Sequence, residues 1–210
     1  MTTIWGFDPS KYTGFGIYSP EARRKDGNCA HVICGVLEVP QKADHYFTGD
    51  QIAQKVQELF VKHGKPDFAV LEEQALANIA RTSADAMLYP WIATTAIVSV
   101  LSNWGVPYGT LPAATWRKAM FGSSFKPPQK PVKKNGAVTM KNDWKTPAIQ
   151  EVERLGVVLP KQKALADDAA EAVAIAMCWE ANEMKFHAGR YQQPWMDLRM
   201  RRNDRQGVAA

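Results

Sequence analysis

Apolar and polar positions change period several times along the chain, and each change marks an element. Ile4 to Phe7 is an unbroken apolar run closed by Asp8, the pattern of a short buried strand. A turn containing Pro9, Ser10 and Gly14 leads into a second strand to Ser19, and His31 to Val39, rich in Val, Ile and Leu, reads as a third. Consecutive strands on short connections predict an antiparallel meander. The period then becomes helical: Ile52, Val56, Leu59 and Phe60 share one face, with Thr48 or Asp50 as N-cap and Gly64 as the stop. Phe68 to Glu72 is another apolar strand ending in acid. Ala75 to Trp104 reads as helix, broken or kinked at Pro90. Val106 to Leu111 gives a strand, and Ala114 to Met120 a short helix. Helices follow over Trp144 to Leu155, closed by Gly156, and over Ala166 to Met184, where the run Ala169 to Met177 has high helix propensity.

Two segments lack a period. Residues 122–142 hold Pro127, Pro128 and Pro131 among lysines, which predicts a mobile basic loop. Residues 187–210 are basic, contain Pro194 and read as a partly ordered tail. The expected organisation is therefore one domain over 1–186 carrying a basic insertion at 122–142, followed by the tail. Three antiparallel strands, then two parallel strands reached through helices, describe an α/β protein with an RNase H-like mixed five-stranded sheet flanked by helices.

A length of 210 residues suits one domain with a sizeable core. With 46% hydrophobic and 22% charged residues, global disorder is excluded. The net charge of +5 favours a polyanionic partner, and its distribution sharpens the point. Lys and Arg concentrate in 126–145 and 185–205, whereas Ile92 to Pro112 contains neither. Three cysteines without framework spacing argue against a secreted disulfide scaffold. Cys29 and His31 would face one way on a strand and Cys34 the other, so buried thiols fit better than a zinc site. The N-terminus lacks a targeting pattern, and Trp91 to Leu101 is too short to span a bilayer. These features predict a soluble, cytoplasmic protein with no membrane partner.

The acids carry the chemistry. Asp8 and Glu72 each close an apolar strand, where an ionised group is costly unless it is paired or bound to metal. Asp168 and Glu171 lie three apart on one face of the last long helix, in surroundings of Ala, Val, Ile and Met. Asp167 fits the helix N-cap; Asp168 and Glu171 exceed what capping needs. Phosphodiester hydrolysis requires an activated water and neutralisation of charge growing on the phosphate, which a pair of divalent ions held by carboxylates supplies.

Several segments resemble the RuvC-type Holliday-junction resolvases. Ile4-Trp-Gly-Phe-Asp8-Pro9, continuing to Thr13-Gly-Phe-Gly16, is similar to their opening motif. Phe68 to Gln74 resembles the second, an apolar strand ending in Glu with a nearby Gln. Ala114 to Gly122 resembles a third, and Trp144-Lys145-Thr146 resembles the segment bearing a Lys before the penultimate helix. Asp168-Ala-Ala-Glu171, followed by an apolar helix, is similar to the last motif. The resemblance runs in order from Ile4 to Trp179. It implies that Asp8, Glu72, Asp168 and Glu171 hold two Mg2+ ions (or Mn2+) and that Lys145 lies near the scissile phosphate. It further implies a homodimer cutting four-way DNA junctions to leave 3′-hydroxyl and 5′-phosphate ends. The chain departs from the family in three places. The loop after Asp8 is shorter and lacks a Gly after Asp-Pro, the fourth acid is Glu171 rather than Asp, and no aromatic follows Glu72 locally. Such variation fits a phage or mobile-element member of a bacterial-type family.

Further expectations concern surfaces. Arg117, Lys118, Lys126, Lys130, Lys133, Lys134 and Lys141, with Arg199, Arg201, Arg202 and Arg205 of the tail, are candidate phosphate contacts. Met87, Leu88, Trp91, Ile92, Ile97, Val98 and Leu101 would form either a dimer seam or part of the monomer core. An RNase H-type nuclease on RNA–DNA hybrids or a flap nuclease would share the same acids. A non-catalytic DNA-binding module would keep a self-repelling cluster to no purpose. A sugar-kinase or actin-type ATPase is excluded by length and by the missing Gly-rich phosphate loop.

Overall fold

The apolar runs pair as their patterns require. In the computed structural model, which describes residues 1–22, 29, 31–74, 84–134 and 137–207, strands β1 (Ile4–Asp8), β2 (Thr13–Tyr18), β3 (Ile33–Leu37), β4 (Phe68–Glu72) and β5 (Tyr108–Leu111) form one sheet. Their order is β3-β2-β1-β4-β5. β1 pairs antiparallel with β2 and β2 with β3, whereas β1 with β4 and β4 with β5 are parallel. This is the mixed sheet of an RNase H-like fold, with β1 and β4, the strands apolar on both faces, at its centre.

Helices α1 (His45–His63) and α2 (Ala84–Asn103) cover one face, α4 (Lys145–Arg154) and α5 (Lys163–Met177) the other, and α3 (Ala113–Phe121) follows β5. Two cores result. Trp5, Phe7, Ile52, Val56, Phe60, Leu71, Ile97 and Leu101 fill the first. Ile4, Phe68, Val70, Trp116, Val152, Val173 and Ile175 fill the second. Ile97 and Leu101, candidates for a dimer seam, are thus fully buried within this chain, while Leu88 (44% exposed) and Trp91 (39%) remain on the surface. Residues 75–83, the first part of the predicted 75–104 helix, lie outside the described residues.

Several boundaries differ from the sequence reading. α1 is capped by Asp44, whose carboxylate accepts from the Phe47 N–H at 2.8 Å. Thr48 is buried inside the helix, and Asp50 instead accepts from Gln54 on the solvent side. α5 starts at Lys163 after Gln162, so Asp167 lies in its second turn and is not an N-cap. The helix stops at Met177, and the chain then turns so that Lys185 bridges Thr110, covering part of the exposed edge of β5.

Both segments without a period contain regular structure among their described residues. Residues 129–134 and 137–142 form a two-stranded ribbon, β6 (Gln129–Lys134) and β7 (Ala137–Asn142), rather than a loop. Pro131 is tolerated because each strand of an isolated ribbon is an edge. The tail is helix α6 (Gln192–Gly207), and it docks: Trp195 and Leu198 are buried in the second core, and the Trp195 indole N–H donates to the Trp179 carbonyl at 2.7 Å. Arg202 pairs with Glu180, and Arg199 lies over the Trp195 ring at 4.4 Å while donating to Asn182. These two arginines therefore seat α6 on the body. Arg201 is exposed; the side chains of Arg205 and Lys134 lie outside those described.

Cys29 is buried and its N–H donates to the Leu155 carbonyl, His31 is exposed, and the Cys34 thiol donates to the Val158 carbonyl. Among the described residues these three make no metal-holding group. No helix among the described residues is long and apolar enough to cross a membrane.

Candidate active site

Three acids meet where the central strands end. β1 and β4 run parallel with Phe7 beside Leu71, so Asp8 and Glu72, the next residue of each, end neighbouring strands. Asp168 and Glu171 arrive from α5, which crosses the sheet in unusually close contact. A Cβ on Gly6 would lie 2.1 Å from the Ala172 carbonyl oxygen, and one on Gly14 would lie 2.1 Å from that of Asp168. Only glycine permits this approach. Gly14 is also the strand partner of Asp8. The bare backbone at Gly14 therefore lets the helix set Asp168 down beside Asp8, which gives the Thr-Gly-Phe-Gly segment a physical role.

The result is a cluster in which Asp8, Asp168 and Glu171 each offer a carboxylate oxygen within 4.8 Å of the others. Glu72 is not one of these three. Its Oε2 is turned to the indole N–H of Trp116, which donates at 2.6 Å. Glu72 is nonetheless close enough for its charge to act on both Asp8 and Glu171.

The electrostatics are those of crowded, desolvated anions. Burial holds the Asp8 carboxyl well above the usual range, helped by Glu171, Glu72 and Asp168 and opposed by Lys145. Burial and then the Glu72 charge push Glu171 up to about 7, against Lys145 and Arg117. Glu72 is also raised by burial, against the Trp116 hydrogen bond and the Arg117 charge. Like charges at this separation repel strongly where water is scarce. The donor set is all hard oxygen, which fits Mg2+ or Mn2+ and not a soft metal.

Two cations border the cluster. Lys145, the first residue of α4, donates to Asp168 at 2.8 Å and lies 3.7 Å from Asp167. Burial alone would lower its pKa, but the Asp168 hydrogen bond and the surrounding carboxylates prevail and raise it, so it is held as a cation. Arg117 Nη2 lies 3.5 Å from Glu171, and its guanidinium sits about 5 Å from the rings of both Trp116 and Trp144. Lys118, its neighbour, is exposed, as are Lys126, Lys130, Lys133 and Lys141.

Sequence reasoning named Arg117 for DNA and missed its proximity to Glu171. It missed Trp116 altogether. The available signal was chemical: a tryptophan buried in a helix needs an acceptor for its N–H, and an acid ending a nearby strand supplies one.

No family model matches the sequence, and no curated protein matches it. The fold is shared with solved structures. A Thermus thermophilus RuvC in complex with Holliday junction substrate superposes with a TM-score of 0.58 at 16% identity, over 84% of this chain and 91% of that one. A second T. thermophilus RuvC structure gives 0.54 at 17% identity, over 84% and 92%.

Proposed function

We propose that this chain is a metal-dependent endonuclease that cleaves branched DNA of the Holliday-junction class. The observation that carries the reading is the convergence of half-buried Asp8 and Asp168 with buried Glu171 where α5 crosses the end of the central strand β1. Such a cluster is destabilising by itself and is accounted for by a divalent counter-charge. The shared fold with a RuvC that was solved on a Holliday junction supports the substrate class.

In this reading Asp8, Asp168 and Glu171, with Glu72 held in reach by Trp116, bind a pair of Mg2+ or Mn2+ ions. When bound, the ions neutralise charge on the phosphate and lower the pKa of water. The chain's own groups do the rest. Lys145 holds Asp168 and presents a fixed positive charge to the scissile phosphate. Arg117 restrains Glu171. Lys118, Lys126, Lys130, Lys133, Lys134 and Lys141 contact phosphates of the DNA arms, each true contact adding about 0.9 to the log–log salt slope.

The deciding experiment is cleavage of synthetic four-way, flap, duplex and RNA–DNA hybrid substrates by the parent and by Asp8→Asn. The expected result is four-way selectivity, lost cleavage in the variant and retained junction binding. Full activity in Asp8→Asn would overturn the proposal, and preference for hybrid or flap would move the substrate class to an RNase H-type or flap nuclease.

The active unit is a homodimer joined through the surface of α1 and α2, where Tyr46 (92% exposed), Leu88 and Ile92 line an open groove. Sedimentation showing a monomer at micromolar concentration would remove this element.

A further inference from the structure

The ribbon β6–β7 has two unlike faces. Its register sets Lys130 across from Lys141, and Val132 across from Thr139, on one face. On the other face Pro131 lies across from Met140 and Lys133 across from Val138. Val138 and Met140 are 59% and 56% exposed, neighbours on one side of a strand that belongs to no larger sheet. The basic face is also unusual: like charges directly opposite one another oppose ribbon formation. Asp143 answers only one of them, meeting Lys130 at 3.1 Å.

The ribbon is fixed at its root, and the root adjoins the carboxylate cluster through Lys145. The Asp143 N–H donates to the Pro128 carbonyl at 2.7 Å, and the Asp143 carboxylate accepts from the Thr146 hydroxyl at 2.8 Å. Phe125, just before the ribbon, stacks on Phe121 with centroids 4.8 Å apart and lies 6.0 Å from Trp144. Three residues after the ribbon ends at Asn142 comes Lys145, bonded to Asp168. Six residues per strand give a ribbon on the order of 20 Å long, extending from the rim of the carboxylate cluster.

Resting on the reading of the chain as a nuclease of branched DNA, we propose that this ribbon is the element that opens the branch point. Its lysines lie along the phosphates of one arm, and Val138 and Met140 insert against an unstacked base step. Apolar wedges flanked by basic residues act on duplexes in this way. The occupant follows from the charge of the opposite face and from the attachment to Lys145: whatever lies along the ribbon is continuous with the strand being cut.

The test uses full-length Asp8→Asn protein, so that nothing is cleaved, and four-way junctions carrying 2-aminopurine at the branch or in mid-arm. The expected result is a severalfold rise in fluorescence on binding at the branch and none in mid-arm. Val138→Ser with Met140→Ser loses the rise at saturating protein while still shifting the junction in a gel. Lys130→Ala with Lys141→Ala keeps the rise per bound complex but lowers the salt slope by about 1.8. Both pairs of substitutions are at exposed positions, and an unchanged circular dichroism spectrum and thermal midpoint establish that the variants fold. An undiminished rise in the Val138/Met140 variant overturns the wedge. So does conversion of that variant from dimer to monomer with fluorescence intact, which would make the face an interface between copies. If the parent shows no preference for the junction over duplex, the proposed function fails, a result distinguishable from failure of the wedge alone.

Discussion

Replacing Glu171 by Gln should stabilise the metal-free protein, although it removes a side chain that is only 6% exposed and lies within ion-pair distance of Arg117. The reasoning is thermodynamic linkage. The Glu171 carboxyl is raised from its ordinary 4.5 to about 7, so the folded state binds this proton more tightly than the unfolded state does. Stability from this group is fully present below about pH 4.5 and is lost as pH rises through about 7. A tenfold change in proton affinity corresponds to about 1.4 kcal/mol, so the loss amounts to about 3 kcal/mol. Gln carries no charge at either pH and escapes that loss. It gives back part of the gain because it attracts Arg117 and Lys145 less, so the net increase at pH 8 is about 1–3 kcal/mol. The assay is urea unfolding in EDTA, followed by circular dichroism, at pH 8 and pH 5. The variant should have the higher midpoint at pH 8, with the difference shrinking towards zero at pH 5. Saturating Mg2+ should reverse the order, because binding to the folded state alone stabilises the parent by mass action. A variant less stable than the parent at pH 8 in EDTA would show Glu171 to be an ordinary structural ion-pair partner, and the argument for a repelling cluster would fail.

Two further outcomes follow from the same geometry. Gly14→Ala places a Cβ 2.1 Å from the Asp168 carbonyl oxygen, so α5 must lift. The expected loss is about 3 kcal/mol in denaturant unfolding, with weakened Mn2+ binding by calorimetry, and a neutral result would mean that the helix does not rest on this strand. Trp116→Phe removes the hydrogen bond from the Trp116 indole to the Glu72 carboxylate and should weaken Mn2+ binding roughly 10- to 100-fold. In a double-mutant cycle with Glu72→Gln the two losses should not add, and additive losses would show that Trp116 does not act through Glu72.

The sequence by itself determined much of this protein. Apolar runs bounded by turn residues located the five strands of the sheet, and the Ala-rich run located α5, because local composition and spacing report which segments are buried. It also determined that acids stand at strand ends, since a charge closing an apolar run is visible in one dimension. It misjudged the ribbon and α6. Prolines and lysines concealed strands that are fixed by their root at Asp143 and Trp144, and a polar tail concealed a helix held by Trp195 and Leu198. Only the tertiary structure decided which carboxylates converge and which side chains restrain them. Trp116 reaches Glu72 across 44 positions and Arg117 reaches Glu171 across 54. Pairings of that kind depend on how far the glycines let α5 descend onto the sheet. That distance is set by packing between remote segments, and no local pattern of residues encodes it.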